Sequence, residues 1–516
     1  MTQLFLPRCL RHAGQWGGLL LSAVALLGMR PLADEQAYSA AAQPVATAAA
    51  PQAAEGLSPT CRRAYAEVLK LRFGNARQVL RQEPAGPGPL LVANCADFMT
   101  LLVSQDARTY EAAAAAQEDR LDALDDLPAS ALRDYARAEI RLHLGISQVM
   151  FQHEVVGCWN LRQGFQQMQG VARRHPTFVP ARKTLGICQF AVGSLPQGYH
   201  WLLRLLGFSG DVETGLKNLS LAATQPHDFQ TESQVFLAVI RENYYKQPGE
   251  ALALVERLHA QQPDNLLFGF LRLSLNKREH RADAALAAYR ALPTGPAYLP
   301  VPYLHHMLAD LLLYQGDYAA SERENLRFLR EYQGRHYRKD AAFKLYLAAW
   351  LGGKPAATMA QYRQLIAQPG PTDVEEDNYA QKFYEKASAL NPVLTKARLQ
   401  IDGGYYRPAL ATLGALRAGA GTPLRDQLEA PYRRARAYHG LGQLDSARLN
   451  YERTLAVAHN APYYFAPQAA LQLGYLCQAA GQRAQAKLYF EKALNYPAHE
   501  YKNSTDAKAA LALRTL

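Results

Sequence analysis

Three features of the sequence predict an all-α chain built as a linear stack of helix pairs. Apolar residues recur at three- and four-residue spacing from Cys61 onward, no run alternates as a strand does, and one pattern of small and large residues returns seven times. The length agrees, because 516 residues exceed what one compact core holds unless the chain grows along one dimension. Hydrophobic residues at 49% and charged residues at 20% are enough to pack most of the chain and exclude wholesale disorder.

In chain order, residues 1–33 carry Arg8, Arg11 and His12, then the apolar run "GGLLLSAVALLGM" at 17–29, then "RPLADEQAYSAAA". This three-part plan predicts a signal peptide and export to a periplasmic or extracellular place. The apolar run falls short of the roughly 20 residues that span a membrane; retention as an uncleaved anchor is the alternative. Residues 34–57 are rich in Ala, Pro and Gln and predict a disordered tether without a core. Residues 58–225 read as a less regular helical region. The segments starting at Cys61 and Phe98 form a hairpin, and long helices over 133–192 are joined through "RRHPTF".

Residues 226–516 hold the seven copies. "ARAYHGLGQLDSARLNYERTL" sets Ala435, Tyr438, Gly442, Ala447, Tyr451 and Thr454 at the same offsets as Gly474, Cys477, Gly481, Ala486, Phe490 and Ala493 in "GYLCQAAGQRAQAKLYFEKAL". Upstream copies align on Val239, Leu273, Ala309, Tyr346 and Ala397, giving spacings of 34, 36, 37, 51, 38 and 39 along the array. Small residues let paired helices approach, and the large one fills the groove of the next pair. That is the pattern of a tetratricopeptide repeat, whose period is about 34 residues, so the predicted fold is a superhelical solenoid of α-α hairpins. The one long gap holds "PGPTDVEEDNYAQKFYEKASALNP", read as an acidic loop plus one additional helix.

The segment "SLPQGYHWLLRLLGFSGDVETGLKNLSLA" (194–222) resembles the tetratricopeptide repeat protein 39 family, also known as a mitochondrial outer-membrane and inclusion-body clearance family. Ser194, Leu195, Pro196, Gly207, Phe208, Gly210, Asp211, Gly215, Leu216 and Leu219 match its "SLLPP" turn and "GFxGDxxxGLxxL" motif. "LGISQVMFQ", the final repeat and the tail "NYPAHEYKNSTDAKAALALRTL" agree as well. The resemblance implies a non-enzymatic adaptor and supplies no catalytic residue. An export signal departs from that family's intracellular setting.

The residues themselves point the same way. "GFSGDVETG" lacks the phosphate-loop lysine, and Asp211 and Glu213 repel phosphate, so it reads as a turn capped by Asp211. His306 and Asp310 share one helical face without a third metal ligand, and His153, Glu154 and Cys158 do not converge. No nucleophile motif occurs, and no catalytic, metal or cofactor site is expected. Cys61, Cys95, Cys158, Cys188 and Cys477 are widely spaced without a CxxC pair and read as packing residues, with a Cys158–Cys188 disulfide left open. The net charge of +11 includes three arginines in the first 33 residues, and no dense basic run excites a nucleic-acid reading.

A solenoid lines its concave face mainly with the first helix of each pair. Positions three before, one after and four after each aligned residue give a groove of Phe236, Asn243, Phe270, Lys277, His306, Asp310, Arg398, Tyr432, Arg436, His439, Tyr475 and Gln478. Their aromatic, basic and amide character predicts a protein or peptide partner. A rival reading is a membrane-associated envelope or lipid factor that uses the apolar helix at 199–208, with membrane contact minor otherwise.

Overall fold

The computed structural model describes residues 56–194, 207–244, 249–386, 389–417, 419, 421–457, 461–514 and 516. The expected signal peptide, nearly all of the tether, and residues 199–206 of the apolar segment lie outside these. Among the described residues the secondary structure is helical throughout.

Helices α1 (Pro59–Leu69) and α2 (Phe73–Leu80) form the first antiparallel pair, followed by α3 (Pro87–Ser104) with α4 (Ala107–Asp125) and α5 (Ala131–Met150) with α6 (Glu154–Arg174). Side chains stop each helix from fraying at its start. Ser58, Asp106 and Ser130 accept from the first-turn amides of α1, α4 and α5, each worth about 1 kcal/mol. One helix among the described residues, α3, is long and apolar enough to cross a membrane. Its Leu91, Val92 and Leu101 are buried in a core shared with α1 and α5.

Helices α7 (Pro180–Gly193) and α8 (Val212–Thr224) approach until their backbones touch. A Cβ at Gly215 would stand 2.4 Å from Phe190 N, which no side chain tolerates. Asp211 caps α8 as its sequence predicts, accepting from Thr214 N at 2.8 Å and from Thr214 Oγ1 at 2.8 Å. The segment singled out in the sequence is therefore a packed joint at this end.

The seven aligned residues then fall in seven further pairs: α9 (Gln230–Tyr244) with α10 (Glu250–Gln261), α11 (Leu266–Arg278) with α12 (Ala282–Arg290), and α13 (Tyr303–Gln315) with α14 (Tyr318–Glu331). Next come α15 (Arg338–Leu351) with α16 (Ala356–Ala367), then α17 (Glu375–Lys386), the additional helix expected in the long gap. The array ends with α18 (Pro392–Asp402) and α19 (Tyr406–Gly414), α20 (Leu424–Gly440) and α21 (Leu444–Val457), α22 (Phe465–Ala479) and α23 (Arg483–Leu494), and a closing helix α24 (Lys502–Arg514).

Leu273, Ala309, Ala397 and Ala435 are fully buried, as are Ala251, Ala285, Ser321, Ala409, Ala447 and Ala486 across from them. Each pair turns through one left-handed residue: Gly249, His280, Gly316, Gly353, Gly404, Gly442 and Gly481. Gly404 is required twice over, since its φ is 83° and a Cβ there would lie 1.9 Å from His280 O. The cores differ along the chain. One cluster runs from Leu57 to Leu266, whereas the later pairs carry smaller clusters shared between neighbours, as expected where each unit contacts only the next.

Distant parts of the chain nevertheless meet. Lys70 and Arg72 reach Asp264 at 2.9 and 2.8 Å. Tyr332 OH donates to Gln105 Oε1 at 2.8 Å, where His336 Nδ1 also arrives at 3.1 Å. His280 Nδ1 donates to Asp402 O at 2.9 Å, and Ala282 N donates to Gly403 O at 3.2 Å. These returns join helix pairs that lie far apart in the chain.

Candidate functional site

Alternate helices α11, α13, α15, α18 and α20, with α17, surround a central cavity of about 540 Å³. Its sides are closed by Leu71 at the end of α1, by Gln105 after α3, and by Glu500 and Tyr501 before α24. The wall combines tyrosines 303, 314, 332, 337, 379, 464 and 501 with Lys277, Lys344, Arg398, Arg433, Asp340 and Glu376.

A ladder of charges runs behind this wall. Lys277 Nζ donates to Asp310 Oδ2 at 2.5 Å. Lys344 Nζ stands 2.6 Å from both Asp310 Oδ1 and Asp340 Oδ2, and His306 Nε2 meets Asp340 Oδ2 at 3.0 Å while its Nδ1 meets Asn325 Oδ1 at 2.8 Å. Burial alone would raise the Asp310 carboxyl, but Lys277, Lys344 and His306 outweigh it and hold it below the usual carboxylate range. Burial would likewise lower Lys344, yet Asp310 and Asp340 push it well above an ordinary lysine. Asp310, Asp340 and Lys344 stay ionised because each has opposite charge in contact.

Two carboxyls behave differently. Burial, with the nearby Asp340 carboxylate second, pushes Glu376 up to about 7. Its Oε2 is buried without a hydrogen-bond partner among the described residues. Burial also pushes Asp377 up to about 6, against the amides of Asp340 (2.9 Å) and Tyr337 (2.6 Å) that donate to it and cap α15. On the far wall, Arg433 donates to Glu429 Oε1 through Nε and Nη2 (3.0 and 2.8 Å) and to Tyr464 OH at 2.9 Å. Arg398 Nη1 reaches Tyr379 OH at 3.4 Å. The cavity thus presents fixed donors, fixed acceptors and aromatic faces, a surface suited to a polar, extended ligand.

Of the groove residues expected from sequence, Phe270, Lys277 and Arg398 line this cavity. His306 and Asp310 are 1% exposed and support its wall from behind, with neither positioned for a metal, and no metal-binding group occurs among the described residues. Tyr432 is 2% exposed and belongs to the core. Arg436, His439, Tyr475 and Gln478 do not line it: His439 meets Tyr451 OH at 3.3 Å, and Tyr475 packs edge-on against Phe490. The penultimate pair meets the cavity through Arg425 and Arg433 on α20 instead, on positions the aligned face did not include. Phe236 lines a second, N-terminal cavity, and the side chain of Asn243 lies outside the described residues. The five cysteines expected to pack are free thiols, so no Cys158–Cys188 bond forms.

Sequence reasoning missed Lys344, Asp340, Glu376, Arg433 and Tyr379. Positions two before and five after the aligned residue would have found Met307, Lys344, Tyr314 and Asp402, all on the wall. A buried helix face is at least 100° wide, and three positions sample only its centre. No family model matches the chain, and no curated protein matches it.

Proposed function

We propose that the chain is a non-enzymatic tetratricopeptide-type scaffold, exported by its N-terminal segment, that holds an extended peptide or protein terminus of a partner in the central cavity. The repeat reading is supported by seven helix pairs that turn through a left-handed residue, six of them with a buried small residue on the second helix. The kinship proposed with the tetratricopeptide repeat protein 39 family rests on the close approach of α7 and α8 through Gly215 and on the Asp211 cap.

One observation carries the binding reading: the inner helices together bring aromatic and charged side chains to one wall, with Phe270 and Lys277 from α11, Phe343 and Lys344 from α15, Tyr379 from α17 and Arg398 from α18. A peptide in extended form presents donors and acceptors at regular intervals, and a wall repeating at the spacing of stacked helices, about 8–10 Å, meets every third residue or so. Tyrosine and arginine are the side chains that anchor such contacts best.

The test is photocrosslinking in the native cell from position 379, with position 488 on the exposed outside as control. Adducts to one partner segment from 379, and none from 488, are expected. The double variant Tyr379→Ala, Arg398→Ala should then lose that partner in a pull-down while melting at the same temperature. Equal recovery by the variant overturns the assignment.

A further inference from the structure

The N-terminal pairs enclose a second cavity of about 170 Å³, lined by α1, α3, α5, α7, α9 and α11. Its wall is apolar, with Leu91, Met99, Leu142, Val235, Val239 and Leu271 prominent. At one end lies a charged node. Lys183 Nζ donates to Glu139 Oε1 at 2.8 Å and Glu232 Oε1 at 3.2 Å and sits over the Phe229 and Tyr135 rings. Thr184 Oγ1 donates to Glu139 Oε2 at 2.6 Å, and Tyr65 OH donates to Glu232 Oε2 at 2.7 Å.

The donors of Lys183, Thr184 and Tyr65 named above are thus directed at the two carboxylates, which face one ammonium, while the Tyr135 hydroxyl on the same wall has no hydrogen-bond partner among the described residues. The end of the cavity offers acceptor capacity and repels an anion. His143 completes it. Asn94 Nδ2 donates to His143 Nδ1 at 2.9 Å, which assigns the ring proton to Nε2, and burial lowers the imidazole to about 4, so it is neutral. Nε2 stands 4.0 Å from Glu139 Oε1, beyond hydrogen-bond reach. A single oxygen that accepts from Nε2–H and donates to Oε1 closes that gap with both contacts near 2.8 Å. A hydroxyl does both; a carboxylate has no proton to donate, and an ammonium has no lone pair to accept with. Burial pushes the Cys188 thiol up to about 12 and raises Cys95 as well, so the thiols add no charge.

We propose that this cavity binds an uncharged aliphatic ligand ending in a hydroxyl, with the hydroxyl between His143 and Glu139 and the chain along the apolar wall. The volume holds roughly a dozen water-sized groups, enough for a chain of about ten carbons. This site stands apart from the peptide reading of the central cavity, although Leu102 and Leu267 line both.

The probe is 1-decanol, compared with decane and sodium decanoate, on the full chain by native mass spectrometry and thermal melting. A single saturable 1:1 adduct with 1-decanol, and a rise in melting temperature, are expected. Decanoate should bind at least about tenfold more weakly, because the node repels its charge. His143→Phe keeps the ring that stacks 4.0 Å from Phe98 and loses the hydrogen bond; it should bring 1-decanol down to the level of decane. Val235→Trp on α9, and Met99→Trp on α3, should abolish the adduct by filling the space. Absence of a 1-decanol adduct, equal binding of decanoate, or undiminished binding by His143→Phe or by a folded filling variant overturns the proposal.

Discussion

The two cavities use the same device against different backgrounds. In the N-terminal cavity Lys183 bridges Glu139 and Glu232; in the central cavity Lys344 bridges Asp310 and Asp340. Each lysine sits on an inner helix and ties inner helices together. Around Lys183 the wall is apolar and, among the described residues, no further ion pair supports it, the neutral His143 ring standing 4.0 Å from Glu139. Around Lys344 the ladder continues through Lys277 and His306, and Glu376, Arg398 and Tyr379 face the open space. The bridge itself leaves one net negative charge in either place, and the two cavities differ in the groups around it.

The contrast breaks most sharply at Lys183. Lys183→Met strands two carboxylates in an apolar wall, and urea unfolding should show a loss of about 3–5 kcal/mol. Replacing Glu139 by Gln in the same chain should recover part of it. Lys344→Met should cost less, about 2 kcal/mol, since Asp310 keeps Lys277 and Asp340 keeps His306. Equal losses at the two lysines would show that the surrounding ladder contributes nothing.

The smallest effect lies in pH dependence. Glu376 is raised in the folded protein above its unfolded value of about 4.3, so the folded state holds its proton more tightly between about pH 4.5 and 7. Stability from this group is present below that window and falls as pH rises through it. Glu376→Gln should leave stability unchanged near pH 4 and raise it by about 1–2 kcal/mol at pH 8. Asp310 runs the other way: its carboxyl is depressed, so its contribution is present above about pH 4 and is lost on acidification below it.

What was legible in the sequence was whatever each repeat must solve alone. Ala285, Ala447 and Ala486 are small because helices cross there, and Gly316, Gly353 and Gly442 turn with φ of 89°, 70° and 72°. One position hid its role: His280 occupies the glycine place at φ 54°, a conformation costly for a residue with a Cβ. It is held there by the bond to Asp402, which no local pattern announces. The Lys183 node was illegible for a related reason, since Glu139, Lys183 and Glu232 come from three helices in a region whose repeats are irregular. The groove was legible only where it coincided with the centre of a helix face, as at Phe270, Lys277 and Arg398.

The long-range chain returns also set an order of assembly. Neighbouring pairs form from contacts close in sequence, which is fast. Arg72 with Tyr298, Gln105 with Tyr332 and His280 with Asp402 join residues 226, 227 and 122 positions apart, and such closures come late because the loop entropy is lost before the contact exists. The stack therefore precedes its long-range contacts. Local opening of one such closure would free one side of the stack and leave the neighbouring pairs intact, so the amides at these contacts are expected to exchange before those of the paired helices.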